Sequence, residues 1–182
     1  MPEQQEDEVT RNLDVRGSLS TKVESVVKTL LKIQRLDPTA KSLVFSTWNG
    51  ILDIIGEALD ENEIHHASLA TTGGKNFKRN LQKFKVHTVG SNVVPMSLQG
   101  QNCFVFQNRD DVKVLLMPLK SGANGLNLIE ANHVLLVEPI LNPSNELQAI
   151  GRVHRLGQKR ATTVHRFIVK NTMEERVHHM FQ

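Results

Sequence analysis

The feature that most constrains this chain is an alternation. Apolar runs of strand type at residues 42–47 (SLVFST), 64–70 (IHHASLA), 112–117 (VKVLLM), 133–138 (HVLLVE) and 163–169 (TVHRFIV) are each followed by a glycine-containing turn or a helical stripe. Strands joined through crossover helices must lie parallel, and a parallel sheet has to be covered on both faces. The expected fold is therefore an α/β domain, with helices on both sides of a mainly parallel sheet.

The helices announce their own ends. Val23, Val26, Val27, Leu30, Leu31 and Ile33 recur at helical spacing from Ser20 until Asp37-Pro38 interrupts them. ILDIIGEAL after Asn49-Gly50 and NFKRNLQKFK at 76–85 carry similar stripes, and another helix begins near Asn142-Pro143. A last helix at 171–180 opens with Asn171 and Thr172 ahead of two glutamates, an N-cap signal.

Two segments break the rhythm. Residues 1–19 are polar and aperiodic, end in Gly17 and Ser18, and read as an acidic flexible linker. Residues 86–110 hold Gly90, Pro95 and Gly100, offer one strand-like run at 103–107, and form an irregular insertion where a strand should follow at once. The insertion is either a functional surface loop or read-through of untranslated sequence. The remainder, 20–182, has the length of one compact domain.

Composition excludes several classes of function. A lone Cys103 rules out an intrachain disulfide and any cysteine-rich zinc module, and points to a reducing compartment. No apolar run approaches the roughly 18 residues of a membrane span, and the acidic MPEQQEDEV start is unlike a signal peptide. The chain reads as intracellular. Its net charge of +3 conceals a polarity, because residues 151–170 carry Arg152, Arg155, Lys159, Arg160, Arg166 and Lys170 with no acidic residue. Anionic partners are to be sought there.

ELQAIGRVHRLGQ (146–158) is the most informative stretch. On a helix, Gln148, Arg152 and Arg155 fall at i, i+4 and i+7, within about 60° of one another, while Leu147, Ile150 and Val153 take the opposite, packing face. His154 falls with the packing residues. Two guanidinium forks held one turn apart suit the bidentate gripping of phosphate oxygens and the stabilisation of charge on a phosphoryl group. A solvated basic face with surface ion pairs would give the same spacing.

The whole string separates the two readings, since QAIGRVHRLGQ resembles the QAxxRxHRxGQ motif VI of SNF2-type ATPases. LKSGANGLNL (119–128) resembles motif V of that family, KSLVFSTWNGILDIIGEAL (41–59) resembles motif IV, and LATTGGKNFKRNLQKFK (69–85) takes the place of motif IVa. The resemblance covers about residues 20–182, and it implies the C-terminal RecA-like lobe of a helicase-like ATPase, a three-layer α/β domain. By that resemblance Arg152 and Arg155 are arginine fingers reaching ATP and Mg²⁺ held on an N-terminal RecA-like lobe. Gln148, Gly122 and Gly125 are implied to support the nucleotide site. Ser46, Thr47, Asn49, Lys120, Ser121 and Asn124 are implied contacts to the backbone of double-stranded DNA.

The chain also departs from the family pattern. Pro118-Leu119 replaces a Ser-Thr pair before Lys120, Thr72-Gly73-Gly74 replaces an Asp-Gly signature, and Leu141 stands where tryptophan is usual. The apolar LLVEPILNP wording is closest to a nuclear, DNA-repair ubiquitin-ligase subgroup, which implies nucleosomes or ubiquitin-pathway proteins as further partners. Trp48 is expected to pack under the helix that follows it, stacking on a base or sugar being the alternative. Lys75, Lys78, Arg79 and Lys83 are as compatible with a solvated face as with a phosphate track. The adjacent pairs His65-His66 and His178-His179 make poor metal sites, because neighbours i and i+1 on a helix point apart.

No GxxxxGK[ST] loop and no Walker B acidic pair occur in the sequence. Hydrolysis of ATP needs a phosphate cradle, Mg²⁺ and a positioned water, so the chain alone is expected to be inactive and to complete a site begun elsewhere. A non-catalytic DNA- or protein-binding module is the alternative.

Overall fold

A computed structural model of the chain describes residues 13–70, 74–85, 87–89, 92–94, 112–119 and 126–180. Helix α1 (Thr21–Leu36) begins at Ser20, whose hydroxyl accepts the Val23 N–H at 3.5 Å, and buries Val23, Val26, Val27, Leu30 and Ile33. It stops at Asp37, whose Oδ1 accepts the Thr39 N–H at 2.9 Å and its hydroxyl at 2.6 Å, turning the chain toward the sheet.

Strand β1 (Ser42–Ser46) is buried at every position, as a central parallel strand must be. It leads into α2 (Asn49–Glu61), then β2 (His66–Ser68) and α3 (Gly74–Lys85). After β3 (His87–Val89) and β4 (Asn92–Val94) come β5 (Val114–Pro118), β6 (His133–Leu136), α4 (Pro143–Ile150), β7 (Thr163–Arg166) and α5 (Met173–Met180). The main sheet runs β2-β5-β1-β6-β7, all neighbours parallel, with β1 between β5 (Ser42 opposite Val114) and β6 (Ser42 opposite His133).

The two faces bury separate clusters. Val44, Val114, Leu116, Leu135 and Val137 meet the stripes of α1 and α2 on one side. Leu43, Phe45, Leu115, Met117, Val134 and Leu136 meet Phe84 of α3, Ala149 of α4 and Val153 on the other. The expected α/β architecture, a parallel sheet with helices on both faces, is the observed one.

Buried polar groups pin the amino-terminal ends of the strands. The Lys41 N–H donates to Asn132 Oδ1 at 3.2 Å, the Asn132 N–H returns a bond to the Lys41 carbonyl at 3.0 Å, and the Asn132 carbonyl accepts from Thr163 at 2.9 Å. Lys41 itself is 1% exposed, and its ammonium donates to the Phe84 carbonyl at 2.6 Å, near the C-terminal end of α3, where a cation is favoured.

Parts of the two irregular segments carry regular contacts. Within the stretch read as a linker, residues 13–19 lie against the domain: Leu13 is buried, Val15 and Leu19 join the α1/α2 core, and Arg16 bonds Asn62 and Glu63. Within the insertion, the backbones of β3 and β4 pair antiparallel, with His87 opposite Val94. The strand-like run at 103–107 lies outside the described residues.

Candidate functional site at the carboxyl ends of the strands

In an open parallel sheet the strand carboxyl ends, where successive crossovers go to opposite faces, leave a crevice for ligands. Here that edge gathers the ends of β1, β5 and β6. Glu138, just beyond β6, organises it. Its Oε1 accepts the Ser46 hydroxyl at 3.0 Å, the Thr47 hydroxyl at 2.6 Å and the Thr47 N–H. The Leu119 N–H donates to the Ser46 carbonyl at 2.8 Å, so the segment leading to the motif V-like turn is fixed to the same point.

Of the residues expected to touch DNA, Ser46 is buried, Thr47 is half-buried, and Asn49 is exposed in the first turn of α2. The donors of Ser46 and Thr47 are engaged by Glu138, a residue the motif comparison did not single out. Its signal was an acidic side chain ending a buried apolar run. Lys120, Ser121, Gly122, Asn124 and Gly125 lie outside the described residues.

Trp48 corrects an expectation. It is 68% exposed rather than packed under α2. The Ser46 hydroxyl accepts its N–H at 3.0 Å and its carbonyl receives the first helical amides, so the backbone serves as the N-cap and turns the indole away from the core.

The arginine-bearing segment differs from the single helix expected over 146–158. Asn142 caps α4 by accepting the Ser144 N–H at 2.9 Å, Pro143 fits the first turn, and the helix ends at Ile150. Gly151 follows, placed so that a Cβ there would come within 3.0 Å of the Leu147 carbonyl oxygen. Arg152 and Arg155 therefore project from a tight turn beyond the helix. Gln148 is exposed on α4; Leu147, expected to pack, is 69% exposed, and His154 is exposed also, while Val153 is buried as expected.

One tertiary and one local hydrogen bond hold the turn out of helical register. The Leu128 N–H donates to the Arg152 carbonyl at 3.0 Å, and the Gln158 N–H donates to the Arg155 carbonyl at 3.0 Å. Gly157 adopts φ 103°, a conformation open to glycine.

The two arginines differ in environment. Arg152 is 9% exposed, whereas Arg155 is exposed. Burial, and next the charge of Arg155, lower the pKa of Arg152 from its ordinary value. Two other cations of the basic edge are already matched: Arg160 to Asp37, and Arg166 to Glu146 through Nε at 2.8 Å. Among the described residues no cluster of three or more metal-ligating side chains occurs.

The helicase conserved C-terminal domain model matches residues 21–157, three quarters of the chain, including both arginines. The chain belongs to the helicase conserved C-terminal domain family. This helicase lobe is 50% identical over 172 residues to human E3 ubiquitin-protein ligase SHPRH, covering 94% of the chain and 9% of that protein. It is 36% identical over 162 residues to DNA repair protein RAD5B of Arabidopsis thaliana, covering 87% of the chain and 11% of that protein. The chain thus spans about a tenth of the length of these relatives. Among solved structures, the C-terminal part of the Fun30 ATPase domain superposes with a TM-score of 0.67 at 26% identity, over 88% of this chain and 45% of that one. The sheet and its helices form the RecA-like α/β fold, and the chain is a helicase C-terminal lobe of the SNF2 type.

Proposed function

We propose that this lobe is the second half of a DNA-dependent SNF2-type ATPase and translocase, completing an ATP site begun on an N-terminal RecA-like lobe. One observation carries the reading: the family match runs through the turn that presents Arg152 and Arg155, where burial, and next the repulsion from Arg155, lower the pKa of Arg152. An anion brought against them relieves that repulsion, so the pair suits a polyphosphate.

ATP with Mg²⁺, bound on the first lobe, supplies the phosphoryl group and its leaving group. The residues of this chain neutralise and position. Arg152 and Arg155 offset charge on the phosphoryl oxygens when the lobes close, and Gln148, with the backbone at Gly122 and Gly125, supports the nucleotide. Asn49, exposed in the first turn of α2, and Lys120, Ser121 and Asn124 hold the phosphate backbone of double-stranded DNA, fixing its position without reading sequence, while Ser46 and Thr47, whose donors Glu138 engages, shape the strand end beside them. Alternation of closed and open lobes moves the pair along the duplex.

The likeness to an E3 ubiquitin-protein ligase and to a DNA repair protein supports a place in a nuclear ubiquitin ligase of DNA repair, with nucleosomes or ubiquitin-pathway proteins as further partners. Hydrolysis measured with the chain alone, and again with a first lobe joined to it, tests the reading. Turnover stimulated by duplex DNA is expected with both lobes and not with this one. Tight, salt-dependent DNA binding by the chain alone, with no stimulation of a first lobe, would instead make it a non-catalytic binding module.

A further inference from the structure

Gln158 closes the arginine-bearing turn with its side chain. Its Nε2 donates to the Ala131 carbonyl at 2.7 Å and the Ile129 carbonyl at 3.1 Å, with the Val153 carbonyl sharing at 3.4 Å. The amide nitrogen carries two hydrogens, and both are directed into this cluster. At its other end, Oε1 accepts the Arg160 N–H at 2.9 Å. One half-buried side chain thus ties the turn at 151–158 to the segment that follows the motif V-like string, and to the strand entry beyond. Gly157 makes the arrangement possible: its φ of 103° turns the chain back, and a Cβ there would lie 3.5 Å from Ile129 Cδ1.

The main-chain bonds point the same way. Leu128 holds the carbonyl of Arg152 and the Gln158 N–H holds the carbonyl of Arg155, so both arginines project from a backbone whose position depends on segment 128–131 and on Gln158. A surface glutamine fixed only by packing would not need both ends of its amide satisfied.

We infer that Gln158 is a positioning residue for the arginine pair, locking the turn to segment 129–131 so that Arg155 is presented from a fixed backbone. The inference rests on the proposed role of the arginines. Gln158→Met keeps the length of the side chain and removes all of its amide bonds. In a protein carrying both motor lobes, it should lower kcat by about tenfold to a hundredfold while leaving the KM for ATP nearly unchanged, because a misplaced group costs transition-state rather than ground-state binding. Gly157→Ala, strained by its positive φ, should do the same. Wild-type kcat in a folded Gln158→Met protein would overturn the inference.

Arg155→Ala, measured beside it, separates the levels. If Arg155→Ala is inactive and Gln158→Met is normal, only the positioning role fails; if Arg155→Ala retains full hydrolysis, the finger reading fails and takes this inference with it. A measurement on the unaltered 182-residue chain is independent of how the variants fold. The Leu128 and Arg160 amides should exchange slowly with solvent, and exchange as fast as an exposed loop would overturn the lock.

Discussion

Glu138 and Thr47, 91 residues apart in the chain, meet where β6 and β1 end, the carboxylate accepting both the hydroxyl, at 2.6 Å, and the main-chain N–H of the threonine. Charge-assisted bonds of this kind are among the stronger ones. Glu138→Ala strands the Thr47 N–H and one hydroxyl at a part-buried point, and should cost about 1–3 kcal/mol of stability. Urea unfolding of the chain, compared at equal m-value, measures it. In a two-lobe protein the same variant should also weaken stimulation by DNA, since Ser46 and Thr47 lose their common anchor.

Removing a finger is a different kind of change. Arg155→Ala, at an exposed position, should leave the thermal midpoint close to wild type while lowering DNA-stimulated turnover of a two-lobe protein by on the order of 10³ to 10⁵. Arg152→Ala, at a buried position, should lose turnover and some stability together. Steady-state hydrolysis beside a melting curve distinguishes the two.

Lys41 is the buried charge on which the amino-terminal edge depends. Lys41→Ala empties a fully buried site and leaves the Phe84 carbonyl without its ammonium donor. A loss of about 2–4 kcal/mol is expected by denaturant titration. Lys41→Met, which keeps most of the volume, should lose less.

Acid should destabilise the domain through a histidine pair. His133 Nδ1 lies 3.1 Å from His165 Nε2 across β6 and β7, with the rings stacked. Burial first, then His165 and Arg160, push the pKa of His133 down to about 4, although Asp37 acts in the opposite direction; burial, then Lys32, lowers that of His165. The unfolded chain therefore binds more protons than the folded one between the ordinary histidine value and that of His133. Stability is fully present above about pH 6.5 and declines as pH falls toward 4. His133→Gln should flatten the dependence of the thermal midpoint on pH over this window.

Trp48 is the one tryptophan in the chain and is 68% exposed. Its emission should be that of a solvated indole before unfolding, and iodide should quench the native and denatured chains to similar extents. Strong protection in the native state would place the ring in the core.

What the sequence determined by itself was whatever depends on local pattern. The stripe Val23, Val26, Val27, Leu30, Ile33 makes a helix with one apolar face wherever it packs, and SLVFS and VLLMP can satisfy backbone and side chains together only as buried parallel strands. The arginine string was legible because its residue types and spacing carry the resemblance. Tertiary structure decided the rest, through hydrogen bonds between segments far apart in the chain. Helical periodicity runs past Ile150, yet the N–H of Leu128, from a distant segment, takes the carbonyl of Arg152 and the helix ends early. The apolarity of Trp48 and Leu147 suggested burial, but the direction in which a backbone leaves a strand or helix is set by what anchors it: Ser46 for the one, the capped and shortened α4 for the other. Glu138 gives little local sign of its importance, because its partners reach it only when β1 and β6 lie side by side.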